Sequence, residues 1–325
     1  MTWEERVTGV QAKGFTDRQA GFLVTVMLHS GVCLLRQYST YARIAHGRKV
    51  IDFFEGLVAR GYATARPCGH HRARLYHLHS KPLYRAIGEP NNRHRRPTAI
   101  PRAIERLMLL DAVLADRERT WLATERDKLA YFTLTRRVPR QDLPSLTFRA
   151  EDAETVRYFP DKLPIGLDAD GRMHIFLYVL TQDVPIDFRA FLERHAELFR
   201  ALPEWTVRLL VPLHKSGLIR LYQAAFHEHL ASPLRPSVLE DLRWCFHSRR
   251  APPEGPDERF DQAVRAFGAP RFQSLYRAWR ERGEPVLDAT LSTTLADAIR
   301  RQTGRLECTV LPHRYAHLLP LVGTA

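Results

Sequence analysis

The sequence predicts an α+β, multidomain chain, and three observations lead there. The first hundred residues read as three helices followed by a hairpin. A middle stretch places strands on either side of one long helix. The last seventy-five residues are mainly helical and end in short strand-like runs. With 325 residues, 45% of them hydrophobic, the chain is long enough for two domains and a small third, each with its own core. A charged fraction of 26% beside 10% aromatic residues argues against a disordered polymer.

The N-terminal unit is expected over residues 1–88. Thr16-Asp-Arg-Gln19 has the spacing of a capping box: the Thr16 hydroxyl accepts from the Gln19 amide and the Gln19 side chain reaches back. Residues 21–30 continue as a largely apolar helix, stopped by Gly31. Residues 32–35 form a short apolar run and 36–45 a short helix. His46-Gly47 breaks the chain. Residues 48–60 follow as a helix whose Val50, Ile51, Phe53, Phe54, Leu57 and Val58 recur at threes and fours, the pattern of one buried side. Residues 62–68 and 74–79, on either side of Gly69-His70-His71-Arg72, read as a β-hairpin. Helix, helix, helix, hairpin is the order of a winged helix-turn-helix.

Residues 89–145 read as a basic linker with helices. Pro90, Asn91, Asn92, Pro97 and Pro101 surround the run Arg93-His94-Arg95-Arg96 and suggest a hinge. Amphipathic helices are expected at 104–114 and 124–132. An α/β domain is expected over 146–250, with strands at 147–149, 155–159, 165–167 and 174–180. The last two flank the turn Asp168-Ala-Asp-Gly171. A helix at 187–202, a buried strand at 207–211 and helices at 219–230 and 237–245 complete it. After Ala-Pro-Pro-Glu-Gly-Pro at 251–256, the C-terminal region reads as helices at 257–267, 271–282 and 292–302, then strands at 306–310 and 315–322. The exposed sides of the helices at 104–114 and 271–282 are candidate homodimer surfaces, with plain core packing as the alternative.

Charge points to a partner. The net charge is +13, and basic chains of this kind meet nucleic acid or anionic surfaces. Residues 1–100 hold sixteen Lys/Arg against six Asp/Glu, so ten of the thirteen excess charges lie in under a third of the chain. Genomic bias towards arginine would spread the excess; a binding surface concentrates it. The four cysteines, Cys33, Cys68, Cys245 and Cys308, are far apart and form no CxxC, which suits a reducing cytoplasm better than a disulfide framework. The first residues lack the apolar core of a signal peptide, and no apolar run is long enough to span a bilayer.

A helix with an anchored inner face and a polar outer face can enter the major groove of DNA. The helix at 48–60 offers His46, Arg48 and Lys49 at its start and Asp52 one turn on. Gln37 and Arg43 on the preceding helix are candidates for backbone or flanking-base contacts. His70, His71, Arg72 and Arg74 would lie along phosphates or in the minor groove, and Arg93, Arg95 and Arg96 would act as a basic strap. Ordinary solvated charge is the alternative for each. The expected partner is double-stranded DNA, and no cofactor is expected.

The stretch 47–61, Gly-Arg-Lys-Val-Ile-Asp-Phe-Phe-Glu-Gly-Leu-Val-Ala-Arg-Gly, followed by 74–88, Arg-Leu-Tyr-His-Leu-His-Ser-Lys-Pro-Leu-Tyr-Arg-Ala-Ile-Gly, resembles the winged helix of the replication-relaxation family of bacterial plasmids and mobile elements. His79 stands where that family's wing strand prefers Thr. The resemblance covers about a quarter of the chain. It implies the winged-helix fold more than a precise role; a DNA-binding regulator of a mobile element or plasmid is the expectation, and a DNA-binding adaptor in replication or transfer a further alternative.

Four constellations bear on enzyme chemistry. Phe159-Pro-Asp161 before the strand at 174–180 resembles a restriction-endonuclease-like core, which would make Asp161 a Mg²⁺ ligand. The strand reads His-Ile-Phe-Leu-Tyr-Val-Leu and lacks the acid and lysine of such a site, so a degenerate scaffold is expected. His77-Leu-His79 has the spacing of a relaxase metal pair, with both imidazoles on one strand face. Cys68, His70, His77 and His79 are ligand types for zinc, at a spacing typical of no zinc module. His227-Glu-His229 lies on a helix, where residues two apart diverge. No phosphate loop, dinucleotide fingerprint or G-x-S-x-G occurs. A non-enzymatic DNA-binding regulator is therefore expected, with a metal-dependent nuclease or relaxase-like initiator as the rival.

Overall fold

The computed structural model describes residues 1–69, 73–150, 153–315 and 318. The chain is a mixed α/β protein, with three sheets among the described residues. No helix among the described residues is long and apolar enough to cross a membrane.

The first unit begins with a helix the sequence reading overlooked, α1 (Trp3–Gln11), capped by Thr2 in a reciprocal box with Glu5. Its signal, Thr-x-x-Glu, is the same kind of capping box as the Thr-x-x-Gln that opens the next helix. The Thr16–Gln19 box opens α2 (Asp17–His29), whose residues Ala20 through His29 are all buried. A helix covered on every side belongs at the centre of its unit. Strand β1 (Val32–Cys33) leads to α3 (Leu35–Ala42), which ends on Arg43 in the left-handed region at φ 51°. Helix α4 (Arg48–Ala59) and the antiparallel pair β2 (Ala63–Pro67) and β3 (Arg74–Leu78) follow as expected. The sheet order is β1-β3-β2. The tip residues His70, His71 and Arg72 lie outside the described residues.

The predicted hinge is packed instead. After α5 (Lys81–Ala86), residues 93–95 form a 3-10 turn with His94 buried. A Cβ on Gly31, whose φ is +74°, would come within 2.5 Å of the His94 carbonyl oxygen, so this approach requires glycine. His77 Nε2 also meets the His94 carbonyl, at 2.9 Å. Proline and asparagine marked a break in secondary structure, and the break is held by tertiary contacts.

Helix α6 (Ile100–Ala115) buries Ala103, Ile104, Leu107–Leu110 and Ala112–Leu114. Leu110 and Leu114 join the core of the first unit, while Ile104, Leu107 and Met108 pack with Ile175, Leu177 and Val179 of the central sheet. Its buried faces make it a core helix shared by two layers.

The central sheet has the order β10-β9-β8-β7-β4. β4 (Thr120–Leu122) pairs antiparallel with β7 (Ile165–Leu167), which forms the expected hairpin with β8 (Met173–Val179). β9 (Glu204–Val211) runs parallel to β8, and β10 (Gly304–Val310) parallel to β9. Two strands thus come from outside the expected 146–250 segment, because a sheet edge recruits any strand that matches its register. The runs expected at 147–149 and 155–159 form a separate pair, β5 (Ser145–Ala150) and β6 (Ala153–Tyr158). Alternation along β8 sends Ile175, Leu177 and Val179 towards α6. Phe176 and Tyr178 face α8 (Ile186–Ala201).

Before the sheet, α7 (Glu125–Ala130) runs into a π-helical turn, Tyr131–Thr135. After β9 come α9 (Ile219–Leu230), α10 (Pro236–Arg250), α11 (Glu258–Ala266), α12 (Pro270–Arg282), the single turn α13 (Pro285–Asp288) and α14 (Thr294–Arg300). Helices α10 to α13 enclose their own core around Leu242, Phe246, Trp279 and Leu287. Helix α12 buries Leu275, Ala278 and Trp279 there. The strand expected at 315–322 falls mostly outside the described residues.

Candidate nucleic-acid interface

Helix α4 is anchored by Val50, Phe53, Phe54 and Leu57, all buried. The Phe54 ring lies 4.4 Å from Tyr76 on the hairpin, and Phe53 lies 4.5 Å from Tyr38 on α3. Each such side chain stabilises by roughly 1.5–3 kcal/mol relative to exposure, so the helix is fixed against its neighbours. Its other face carries Arg48, Lys49, Asp52, Glu55 and Ala59, all exposed. A Cβ placed on Gly56 or on Gly47 would meet nothing within 4 Å. The outer face is therefore uncovered along its length.

The start of α4 is built against its own stability. Gly47 supplies no side-chain cap and the first turn has no acid. Arg48 and Lys49 stand beside the positive end of the helix dipole, where each cation costs about 0.3–1 kcal/mol. Free amides and two cations at one helix end form an anion-receptive surface. Arg48 Nε lies 2.7 Å from Asp52 Oδ1, with both side chains exposed. Exposed pairs of this spacing contribute about 0.3–0.5 kcal/mol, so the pair opens readily for a stronger partner.

Arg43 and His46 are exposed in the segment between α3 and α4. Arg74 is exposed at the start of β3. Arg66, which the sequence reading missed, is exposed on β2 next to the Pro67–Arg74 pair. Strand alternation would have found it, since Ala63 is buried and Thr64 and Arg66 share the opposite face.

Three of the expected contact residues are engaged within the fold. Gln37 is buried: its Oε1 accepts from the Leu34 amide at 2.9 Å, and its Nε2 donates to the Leu107 carbonyl at 3.1 Å and to Asp111 Oδ1 at 2.8 Å. All its hydrogen-bonding capacity that is visible goes inwards. Arg95 donates from Nε to the His79 carbonyl and from Nη1 to the Pro90 carbonyl at 2.6 Å. Arg93 Nη2 donates to the Lys162 carbonyl at 3.0 Å, and burial beside Arg106 and Arg102 pulls its pKa down to about 9. Of the expected strap, Arg96 alone is exposed. Much of the N-terminal basic excess is likewise structural: Arg6 pairs with Asp127 at 3.2 Å and Arg36 with Asp111 at 2.7 Å.

The enzyme constellations are also occupied. Asp161 is held by Arg194, Oδ1 to Nη2 at 2.5 Å. His174, on the strand that would complete a metal site, is fully buried between the Tyr131 hydroxyl at 3.0 Å and the Glu204 carbonyl at 3.2 Å. His77 and His79 do share a face, with ring centroids 5.9 Å apart. His77 is buried, and desolvation lowers its pKa. Among the described residues no three His, Cys, Asp or Glu side chains group as a metal site. His229 Nε2 meets Glu193 at 2.9 Å.

No protein-family model matches the chain, and neither a curated protein nor a solved structure matches it.

Proposed function

We propose that the N-terminal unit is a winged helix-turn-helix that binds double-stranded DNA, and that the protein is a sequence-specific DNA-binding regulator. The observation that carries this reading is α4: an aromatic inner face fixes it, and its outer face and cationic, uncapped start are left bare. Arg48 and Lys49 would address base edges or phosphates at the helix start, where guanidinium and ammonium donors suit guanine and phosphate oxygens. Arg43, His46, Arg66, Arg74 and Arg96 would add phosphate contacts. The resemblance of residues 47–88 to replication-relaxation proteins supports a regulator of the kind carried by plasmids and mobile elements.

A mobility-shift titration on DNA from the protein's own promoter region tests it. Sequence-preferring binding by the wild type, weakened by Arg48→Ala and by Lys49→Ala, is expected. Equal binding by both variants and wild type would remove α4 from the interface. Metal-dependent nicking of supercoiled plasmid, abolished by Asp161→Ala, would replace the regulator with a nuclease.

A further inference from the structure

A second cationic surface lies apart from α4, inside a cleft of about 410 Å³ between α6 and the carboxyl end of β8. Its walls come from four places. The turn at 93–95 supplies Arg93. The first turns of α6 supply Arg102 and Arg106, four apart and so on one face. The segment after β6 supplies Asp161 and Lys162. Helix α8 supplies Asp187 and Arg194.

The charges in the cleft do not balance. Five cations face three carboxylates, Glu105, Asp161 and Asp187. Glu105 is engaged by Arg102 at 2.5 Å and Asp161 by Arg194 at 2.5 Å. Asp187 is exposed at the mouth. Arg106 Nη1 is buried without a hydrogen-bond partner among the described residues, and so is Nδ1 of His29 in the cleft wall. The Lys162 ammonium has no partner among the described residues, and its backbone is held in the left-handed region at φ 58°. A bulky residue in that region marks strain that needs a reason. Burial, with mutual repulsion, lowers the pKa values of Arg93, Arg106 and Lys162 together. Arg93 and Arg106 are half-buried, and Arg102 and Lys162 are exposed beside them; cations crowded in this way repel one another, and an anion among them would relieve it.

We propose that this cleft binds the phosphoryl group of a small phosphorylated molecule through Arg93, Arg102, Arg106 and Lys162. Guanidinium forks match phosphate oxygens, and a lysine adds a point charge. The place is where open α/β sheets put their ligands, beyond the carboxyl end of a parallel strand. The volume lies within the roughly 300–1,000 Å³ of small-molecule sites, and the concave wall suits a compact ligand better than a duplex. Thr181 and Asp187, which also line the cleft, offer partners to the hydroxyls of a sugar phosphate.

This proposal stands apart from DNA binding by α4. Its test is calorimetric titration of the full chain with inorganic phosphate and with ribose 5-phosphate, at ionic strength fixed by sodium chloride. Ribose 5-phosphate should bind saturably. Arg106→Met and Lys162→Met should each weaken it by about tenfold or more, the loss of one charge-assisted hydrogen bond. Arg220→Met, an exposed change on α9 outside the cleft, should bind like wild type. If Arg106→Met fails to fold, Lys162→Met and Arg102→Met carry the comparison. Heats no larger than those of chloride, binding of inorganic phosphate alone, or unchanged binding by the variants overturns the site. Loss of duplex affinity in Arg106→Met with no ribose 5-phosphate binding by the wild type would assign the cleft to DNA and overturn the proposal. Failure of the Arg48 and Lys49 variants to affect DNA binding would leave it untouched.

Discussion

The side-chain amide of Gln37 on α3 donates to the Asp111 carboxylate on α6 across 2.8 Å. The same carboxylate accepts two hydrogen bonds from Arg36, at 2.8 and 2.7 Å, and one from the Tyr315 hydroxyl. One acid thus joins the helix before α4, the shared core helix and the end of the described chain. Asp111→Asn should lower the unfolding free energy by about 3 kcal/mol, because it strands a largely buried arginine and a tyrosine hydroxyl. Urea denaturation measures it. A loss under 1 kcal/mol would mean that the junction contributes little.

Gln37→Ala separates structure from recognition. It should cost about 1–2 kcal/mol of stability while leaving the duplex affinity of the folded protein unchanged. A folded variant with weakened DNA binding would return Gln37 to the interface.

Arg48→Ala or Lys49→Ala should cost about 1–3 kcal/mol of DNA affinity where a base contact is lost. Arg66→Ala and Arg74→Ala should act differently. Each should reduce the slope of log affinity against log salt by about one, with little change in sequence preference. Filter binding at four salt concentrations distinguishes the two behaviours, and a uniform response across all four variants contradicts the division.

Lys128 gives the stability a pH dependence. Its ammonium is fully buried, donates to the Leu163 carbonyl at 2.6 Å, and is pulled by desolvation from an ordinary 10.5 to about 7. Between those values the unfolded chain holds a proton that the folded chain has released, so stability rises with pH through that window. Arg93, lowered to about 9, adds the same sign above that pH. Denaturation midpoints of the wild type should climb from pH 7 to 9, and those of Lys128→Met should climb less. Parallel curves would show that Lys128 does not titrate there.

Gly31→Ala tests the packing of the predicted hinge. The substitution forces a Cβ to within 2.5 Å of a backbone oxygen at a φ of +74°. Strain of this kind costs about 1–3 kcal/mol even before the clash. Limited proteolysis should then cut near residues 90–97 faster than in the wild type, and an unchanged cutting pattern would show that the turn does not depend on Gly31.

What the sequence made legible was local. The Thr16–Gln19 box, the Asp168–Gly171 turn and the one-sided pattern of α4 each depend on residues within a turn or two of one another, and each formed as expected. What local pattern did not show shares one cause. Gln37, Arg93 and Arg95 look like free polar groups until Asp111, the Lys162 carbonyl and the His79 carbonyl are brought to them. A partner more than ten positions away leaves no mark on local pattern. The sheet shows the same limit, since neither β4 nor β10 carries a signal that names its neighbour. The cleft was hidden for that reason too: Arg93, Arg106 and Lys162 meet only through the fold.

The pairing of β10 with β9 also sets a timetable. Residues 204–211 emerge from the ribosome well before residues 304–310, with α9 to α14 translated in between. Until then β9 presents a bare, apolar edge to every other strand in reach, the condition that invites wrong pairing and aggregation. The sheet closes late, over a long loop, and closure of that kind is slow. The helices translated in that interval are thus in a position to shield the edge of the nascent chain, and a truncation that keeps them but omits β10 would leave a stalled, association-prone folding intermediate.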